Sequence, residues 1–185
     1  MRRKDRQMEE GFALSVIDEA DFGVLSFCSE NRSYSRALSF GHSGKTLYFH
    51  SATQGEKVDI LRDGMDVEVL FVSHVNVPEL YENEKIKELM GINGPSFLLT
   101  KVFTTEYSSA MVRGKLRLLD STEEKTEALR SVCQRYTPTV MEFFDEAAGM
   151  SLDKVLLYAV DVYEISGKRK KFDENGEEMK WGRME

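Results

Sequence analysis

The chain has 185 residues, 41% of them hydrophobic, and its 25 Lys and Arg against 32 Asp and Glu give a formal net charge of -7 at pH 7. This composition is typical of one globular domain, residues 1–185, and excludes a disordered or collagen-like chain. The acidic balance disfavours a nucleic-acid partner, and no apolar run approaches the length of a membrane span, so we expect a cytoplasmic protein that binds neither nucleic acid nor membrane.

The first third of the chain predicts one helix and a meander of strands. Apolar residues recur at helical spacing over residues 8–20 and predict an amphipathic helix. Strand-like runs follow over residues 24–29, 34–40 and 46–51, separated by turn-forming residues that are typical of hairpins. A short helix is expected over residues 54–62, because a Gly follows its end.

The middle of the chain returns to strands around an inserted segment. Residues 65–73 predict a strand, and residues 79–90 predict a polar helix on the outside of the fold, within an insertion that covers residues 75–95. We expect this insertion to serve as a lid or as a dimer contact. Residues 97–107 and 110–119 predict two further strands, and in the second of them apolar and basic residues alternate, so one face is exposed to water.

The last part of the chain predicts two helices, one strand and a polar tail. Ser121 and Glu124 form a capping box at the start of one helix, and Pro138 begins another that extends to Ala148. A final strand is expected over residues 155–165 and a polar tail over residues 167–185.

These elements predict a mainly β protein with helical additions. Six or seven strands are joined mostly by short turns, whereas a parallel sheet needs a helix after nearly every strand. We therefore expect an antiparallel barrel, in which closure of the sheet removes the edge strands.

The common catalytic and metal-binding motifs are absent from the sequence. It contains no G-x-G-x-x-G, no P-loop, no G-x-S-x-G and no C-x-x-C or H-E-x-x-H spacing. We therefore expect no metal site. Cys28 and Cys133 lie in apolar patterns and are interpreted as buried thiols in a reducing compartment.

Basic residues cluster only near the two ends of the chain, over residues 2–6 and 168–171. Acidic residues follow both clusters, at Glu9 and Glu10 and again from Asp173 onward. A solvated, locally neutralised surface is therefore a better interpretation than a nucleic-acid patch.

One segment has the features of a phosphate site. In residues 48–57, YFHSATQGEK, a strand leads directly into a helix, and Ser51 with Gln54, or Thr53 with Glu56, could cap its first turn. Free N–H groups at such a helix start attract anions, and Lys57 would add a positive charge. Lys57 as a solvated helix residue and Ser51 as an ordinary cap remain the alternative.

A second polar cluster covers residues 104–109, TTEYSS, between two predicted strands. Its hydroxyl groups could bind a phosphate or the polar edge of a ring. Thr that favours strands and Ser that favours turns would explain the same residues without a ligand.

Taken together, the run from Tyr48 to Ala52 with Gly55 and Lys57, followed by Thr105, Tyr107, Ser109 and Gly114, resembles the FMN-binding split-barrel proteins related to pyridoxamine 5'-phosphate oxidase. The nitroimidazole-resistance (Nim-like) branch is the most similar, and the basic runs near both ends also resemble it. The residues that pyridoxamine 5'-phosphate oxidases use for the substrate phosphate are not recognisable, which disfavours vitamin B6 oxidation.

The resemblance implies a six-stranded antiparallel split β-barrel that forms a homodimer, with FMN, or else FAD, in two clefts between the subunits. Lys57 would hold the flavin phosphate, and Trp181 would either stack near the flavin or anchor the tail in an apolar groove. Other expected cofactor contacts come from three strands: Arg36, Ala37, Leu38 and Ser39 under the ring; Phe49, His50, Ser51 and Ala52 beside it; and Thr105 and Ser109 across the interface.

The activity implied by this resemblance is an FMN-dependent oxidoreductase. NAD(P)H would supply electrons, and a small acceptor such as a nitroaromatic compound or a quinone would take them. His50 is the candidate catalytic proton donor because its ordinary pKa is near neutrality. A flavin-binding module without turnover, acting as a cofactor carrier or redox sensor, is the alternative, and a nucleic-acid-associated barrel is a weaker third hypothesis.

Overall fold

The computed structural model describes residues 2–180, in which eight strands form one antiparallel sheet. Six of these strands have seven residues or more, and β1 and β4 are short. The strands are β1 (Gln7–Met8), β2 (Gly23–Ser29), β3 (Arg32–Leu38), β4 (Gly41–Ser43), β5 (Thr46–Ala52), β6 (Asp66–Asn76), β7 (Glu106–Leu118) and β8 (Val155–Lys170).

Five α-helices accompany the sheet in the described part of the chain. They are α1 (Glu10–Glu19), α2 (Glu56–Ile60), α3 (Asn83–Asn93), α4 (Thr122–Tyr136) and α5 (Phe144–Ser151). The predicted cap of α4 is confirmed, since the Glu124 backbone N–H donates to Ser121 Oγ at 3.1 Å. The sequence therefore predicts a mainly antiparallel β fold with helical additions correctly.

Alternation along the strands separates an interior face from an exterior one. Leu25, Val69 and Val112 are fully buried between the sheet and α1, in a core that also contains the rings of Phe40 and Phe49. On the exterior face of β7, Arg113 Nε donates to Glu68 at 2.6 Å across the strands. The predicted wet face of this strand is therefore a row of cross-strand ion pairs.

A second apolar cluster lies on the other face of β5 and β8. Tyr48, Leu157 and Ala159 pack there against Ala128 and Val132 of α4. Because Phe49 and Tyr158 point to the opposite face, these two strands are buried on both sides.

The sheet does not close by hydrogen bonding, contrary to the expectation of a closed barrel. Its strands follow the order β3-β2-β6-β7-β8-β5-β4, and β1 pairs with β8 outside this path. In residues 2–180, β3 and β4 are therefore edge strands. Side chains bridge the opening, since the Phe40 ring, just after β3, lies 5.4 Å from the Phe49 ring of β5.

Two predicted boundaries are wrong. Residues 98–102, expected within a strand, form a π-helical turn, because Phe97 is buried against the Tyr81 ring at 5.4 Å and holds the chain in a compact conformation. Strand β8 continues to Lys170, five residues beyond its predicted end. Lys168 pairs with Ser109 of β7 and with Gln7 of β1, so this basic run belongs to the sheet and not to a tail.

The prediction of two buried thiols is wrong for Cys28. Its side chain lies exposed on the outer face of β2, because the two-residue period that buries Phe27 turns Cys28 outward. Cys133 is half-buried, and burial raises the pKa of its thiol. Both cysteines are free.

The insertion leaves the sheet at the end of the β6–β7 hairpin. Asn76 pairs with Glu106, so the two strands are joined before the chain departs at residue 77 and again when it returns. Helix α3 has no buried residue, as expected for an element outside the fold. In the described residues, no helix is long and apolar enough to cross a membrane.

Candidate functional site

The strand-to-helix junction predicted as a phosphate site is present, although its cap is not. Strand β5 ends at Ala52 and α2 begins at Glu56, after Gly55 at φ 117°, a backbone conformation that favours glycine. No side chain caps this helix, so the predicted bonds from Ser51 and Thr53 are wrong. Ser51 is instead a buried residue of β5. Since α2 has only five residues, its dipole contributes little, and the charge at this junction comes from side chains.

Lys57 is the central charge of this junction. Its side chain is half-buried, and its Nζ lies 5.9 Å from the centroid of the Phe49 ring. Burial, and then the nearby Arg36, lower the pKa of the Lys57 ammonium group. Within residues 2–180, no carboxylate lies within ion-pair distance of this group. An ammonium group that is partly desolvated and beside a second cation is electrostatically suited to a bound anion.

Arg36 reaches this junction from the edge strand β3. Its guanidinium donates to the carboxylate of Glu56, the first residue of α2, and to the Ser35 carbonyl oxygen at 2.9 Å. The structure thus brings together Arg36 and Lys57, which the sequence places 21 positions apart. Sequence reasoning missed Glu56 as a counter-charge, because nothing in its spacing connects it to β3.

His50 is on the outer face of β5 and close to Lys57. Its side chain is exposed in the isolated chain, yet partial burial, and then the charge of Lys57, lower the pKa of the imidazole below 6.5. The ring is therefore neutral at pH 7, so it carries one N–H donor and one acceptor nitrogen.

The other residues at β3 and β5 that were predicted to contact the cofactor differ in solvent exposure. The Phe49 ring is fully buried, stacked on Tyr158 at 4.9 Å, so only its backbone and the ring face beside Lys57 can contribute. Ala52 and Ala37 are exposed, and Leu38 and Ser39 are half-buried.

Thr105 and Ser109 lie far from this junction in the same chain. Ser51 pairs with Leu156 near the start of β8, whereas Ser109 pairs with Lys168 near its end. Twelve residues of an extended strand cover roughly 40 Å. Within one chain, Thr105 and Ser109 therefore do not lie at the same site as the junction around Lys57. Trp181 lies outside the described residues.

The junction has the chemistry of an anion site. Lys57 and Arg36 supply two cations, His50 supplies a neutral donor, and Glu56 neutralises part of the charge. Charge-assisted bonds to phosphate oxygens are the interactions that such groups form best. The charge of a flavin phosphate fits these residues, and residues 52–56, at and just after the end of β5, are exposed.

Comparison with known proteins identifies the group to which these features belong. A family model described as pyridoxamine 5'-phosphate oxidase matches residues 9–169. No curated protein matches the sequence.

Many solved structures share the fold, and three of them are representative. A candidate 5-nitroimidazole antibiotic resistance protein from Bacteroides thetaiotaomicron aligns with a TM-score of 0.65 and 23% identity, over 88% of this chain and 86% of that one. An FAD- and heme-binding protein from Mycobacterium smegmatis aligns with a TM-score of 0.64 and 15% identity, over 89% and 73%. The flavocytochrome Anf3 from Azotobacter vinelandii aligns with a TM-score of 0.65 and 13% identity, over 88% and 68%.

Proposed function

Because this chain belongs to the pyridoxamine 5'-phosphate oxidase family, we propose that it binds FMN and uses it to reduce a small acceptor such as a nitroaromatic compound or a quinone. The solved structures that share its fold support this proposal. One is described as a candidate nitroimidazole resistance protein, one as binding FAD and heme, and one as a flavocytochrome.

The observation that carries the proposal is the Lys57 ammonium group. It is half-buried, and both burial and Arg36 lower its pKa. It lies beside the Phe49 ring, and no carboxylate of the described residues lies within ion-pair distance of it. A terminal phosphate dianion offsets both costs, because it returns hydrogen bonds to a desolvated cation and balances two like charges. We favour FMN over FAD because its phosphate is terminal and doubly charged.

The residues around Lys57 would hold the rest of the cofactor. Arg36 would share the phosphate with Lys57, and Ala37, Leu38 and Ser39, at and just after the end of β3, would face the ring. His50, Ser51 and Ala52 would lie beside the ribityl chain, with Phe49 supplying its backbone. The bound flavin would supply the electron chemistry, so no nucleophilic side chain is needed.

His50 would position the cofactor in preference to donating a proton. Its pKa is lowered by partial burial and by Lys57, so the imidazole is neutral at pH 7 and can donate a single N–H bond. The proton needed at the ring would then come from solvent through the exposed side of the site.

A homodimer would complete this site. The Ser51 and Ser109 ends of β8 are roughly 40 Å apart along one strand, so Thr105 and Ser109 can join Lys57 only from a second copy of the chain. Each of the two clefts would then combine the junction of one subunit with the β7 start of its partner. We further propose a cytoplasmic location, where the exposed Cys28 thiol stays reduced.

The absorption spectrum of the purified full chain tests flavin binding, and mass spectrometry of the released cofactor distinguishes FMN from FAD. Turnover is tested by mixing the FMN-loaded protein anaerobically with NADH or NADPH. We expect the flavin absorbance to bleach and to return when a nitroimidazole or a quinone is added. Flavin that binds but bleaches with neither donor would contradict the oxidoreductase and favour the carrier or sensor, whereas protein that takes up no flavin would contradict both.

A further inference from the structure

The insertion carries large apolar side chains that the described part of the chain leaves open to solvent. Leu99 and Phe103 are each 74% exposed, Ile92 is 71% exposed and Val77 is 65% exposed. Burial of such side chains is favourable, so large apolar residues gathered on an exposed surface mark a place where a ligand or a partner binds. The exposed apolar residues of the insertion therefore indicate a binding surface.

Two of these side chains, Val77 and Phe103, line one concave surface of about 410 Å³, which we call the Phe103 surface. The other residues that line it are Val102, Thr104, Thr105 and Lys170. The Lys170 ammonium group donates to the Thr104 hydroxyl, so this charge already has a polar partner. Apolar side chains beside a few hydroxyl groups suit a planar ring that carries a few polar atoms.

A compact turn holds Phe103 in its exposed position. The Phe103 backbone N–H donates to the Leu98 carbonyl oxygen at 2.7 Å, and the Thr104 N–H donates to the Val102 carbonyl oxygen at 3.0 Å. The turn begins after Phe97, which is buried against the Tyr81 ring. Because the backbone of Phe103 is held by these contacts, little conformational freedom is lost when a ligand binds to its ring.

Phe103 lies close to a residue that the proposed function assigns to the flavin cleft. Phe103 is two residues before Thr105 in the chain, so their Cα atoms are at most roughly 7 Å apart. In the proposed dimer, Thr105 of one copy joins Lys57 of the other copy at one cleft. Phe103 of the first copy would then reach the same cleft, so the inference below rests on the proposed function.

We propose that the Phe103 surface forms one wall of the acceptor site in each cleft, and that Phe103 selects acceptors with an uncharged, planar aromatic or quinoid ring by stacking on that ring. A quinone bound there takes two electrons and two protons from the reduced flavin and leaves as the quinol, while the flavin returns to its oxidised form. Phe103 binds and orients the acceptor, and it exchanges no electron or proton. An acceptor without such a ring gains nothing from Phe103.

The first test measures ring binding without turnover. The FMN-loaded, 15N-labelled full chain is titrated with 2-naphthol, a ring compound that a flavin does not reduce, and amide NMR shifts are followed. We expect saturable shifts at Phe103 and Thr105. Phe103→Ser should weaken this binding about two- to tenfold, the factor that corresponds to one aromatic contact, whereas Phe103→Tyr keeps the ring and should bind as the parent protein does. Phe143→Ser is the matched control, because it removes another exposed phenylalanine from a different part of the chain.

The second test separates the acceptor from the cofactor. Flavin that has been photoreduced without oxygen is mixed with menadione, or with ferricyanide, of which two ions take one electron each, and its reoxidation is followed by absorbance. Phe103→Ser should raise the menadione concentration that gives half the maximal rate about two- to tenfold. The affinity for FMN and the reaction with ferricyanide should stay unchanged, because neither uses the Phe103 ring.

Several results would overturn this inference while flavin binding stands. They are a menadione dependence that is equal in Phe103→Ser and the parent protein, an equal effect of Phe143→Ser, and the absence of 2-naphthol shifts at Phe103 and Thr105. Reduced flavin that menadione does not reoxidise also overturns it, and a loss of FMN affinity in Phe103→Ser would assign Phe103 to the cofactor instead of the acceptor. Protein that takes up no flavin contradicts the proposed function, and this inference with it.

Discussion

The Arg36 guanidinium of β3 is ion-paired with Glu56, the first residue of the helix that contains Lys57. This contact spans the open side of the sheet, where β3 and β5 share no backbone hydrogen bonds. It therefore joins the edge strand to the candidate phosphate site, where Arg36 also acts electrostatically on Lys57.

Lys57→Met should weaken FMN binding about ten- to a hundredfold, because a charge-assisted contact to phosphate contributes about 1.5–3 kcal/mol. A flavin fluorescence titration measures the change. Lys115→Met removes the same charge from the exterior face, where Lys115 pairs with Asp66 at 2.8 Å, and should bind FMN as the parent protein does. Equal affinity of the two variants would place the phosphate elsewhere.

Glu56→Gln should tighten FMN binding several-fold. The substitution removes the carboxylate that neutralises Arg36 and leaves the Lys57 ammonium unchanged, so the net positive charge at the junction rises. The same titration at low and high ionic strength tests the cause, because the gain should shrink as salt increases. Weaker binding would mean that Glu56 serves to hold the Arg36 side chain in position for FMN, and that its neutralisation of the Arg36 charge matters less.

The pKa of His50 lies below 6.5, so the folded chain takes up this proton at a lower pH than the unfolded chain. The contribution of His50 to the free energy of unfolding is therefore greatest above pH 6.5 and falls as the pH drops towards the folded pKa. We expect the stability of the parent protein, relative to His50→Gln, to decrease over this range.

The cause of the His50 shift can be tested separately. Lys57→Met should raise the His50 pKa in an NMR titration, because one of its two causes is removed. An unchanged pKa would assign the whole shift to burial.

Two variants that each lose flavin binding should restore it when they are combined. Lys57→Glu reverses the charge at the junction, and Ser109→Trp fills the space at the start of β7. If each cleft takes Lys57 from one chain and Ser109 from its partner, every mixed dimer contains one intact cleft. Co-expression of the two variants should then yield protein with bound flavin, whereas each variant alone should yield none. Absence of flavin in isolated mixed dimers would contradict the shared cleft.

Gly41→Ala should destabilise the protein by about 1–3 kcal/mol, the range typical of overpacking. A Cβ at Gly41 would lie 2.2 Å from Ser131 Oγ and 2.5 Å from the backbone nitrogen of Val132, so β4 would have to move away from α4. Gly149→Ala is the control, since its Cβ meets no atom within 4 Å and a helical Ala is favourable. Denaturant unfolding should show a decrease in the free energy of unfolding for Gly41→Ala and an increase for Gly149→Ala.

Alternation and capping residues predicted most of the sheet and the start of α4. They failed where tertiary contacts override local preference. Residues 98–102 contain strand-favouring residues, yet burial of Phe97 against Tyr81 holds them in a helical turn. Lys168 and Lys170 resemble a solvated tail, yet pairing with β7 extends β8 through them.

Only the part of the candidate site that lies in one local segment could be predicted from the sequence. The segment from Phe49 to Lys57 is local, so its pattern of strand, glycine and lysine could be recognised. The ion pair of Arg36 with Glu56 neutralises part of the charge around Lys57. It depends on the curvature of the sheet, which brings β3 close to α2, and no sequence spacing predicts it. The separation of Ser51 from Ser109 likewise follows from the register of β8, which composition does not reveal.

The pairing of Asn76 with Glu106 closes the β6–β7 hairpin on both sides of residues 77–105. This stretch is consequently an appendage at the tip of a hairpin whose ladder is complete without it. Its anchor on the rest of the protein is instead the segment that follows β8, where Lys101 Nζ donates to the Gly176 carbonyl oxygen at 2.7 Å, so a change in one of these two segments is transmitted to the other without altering the register of the sheet.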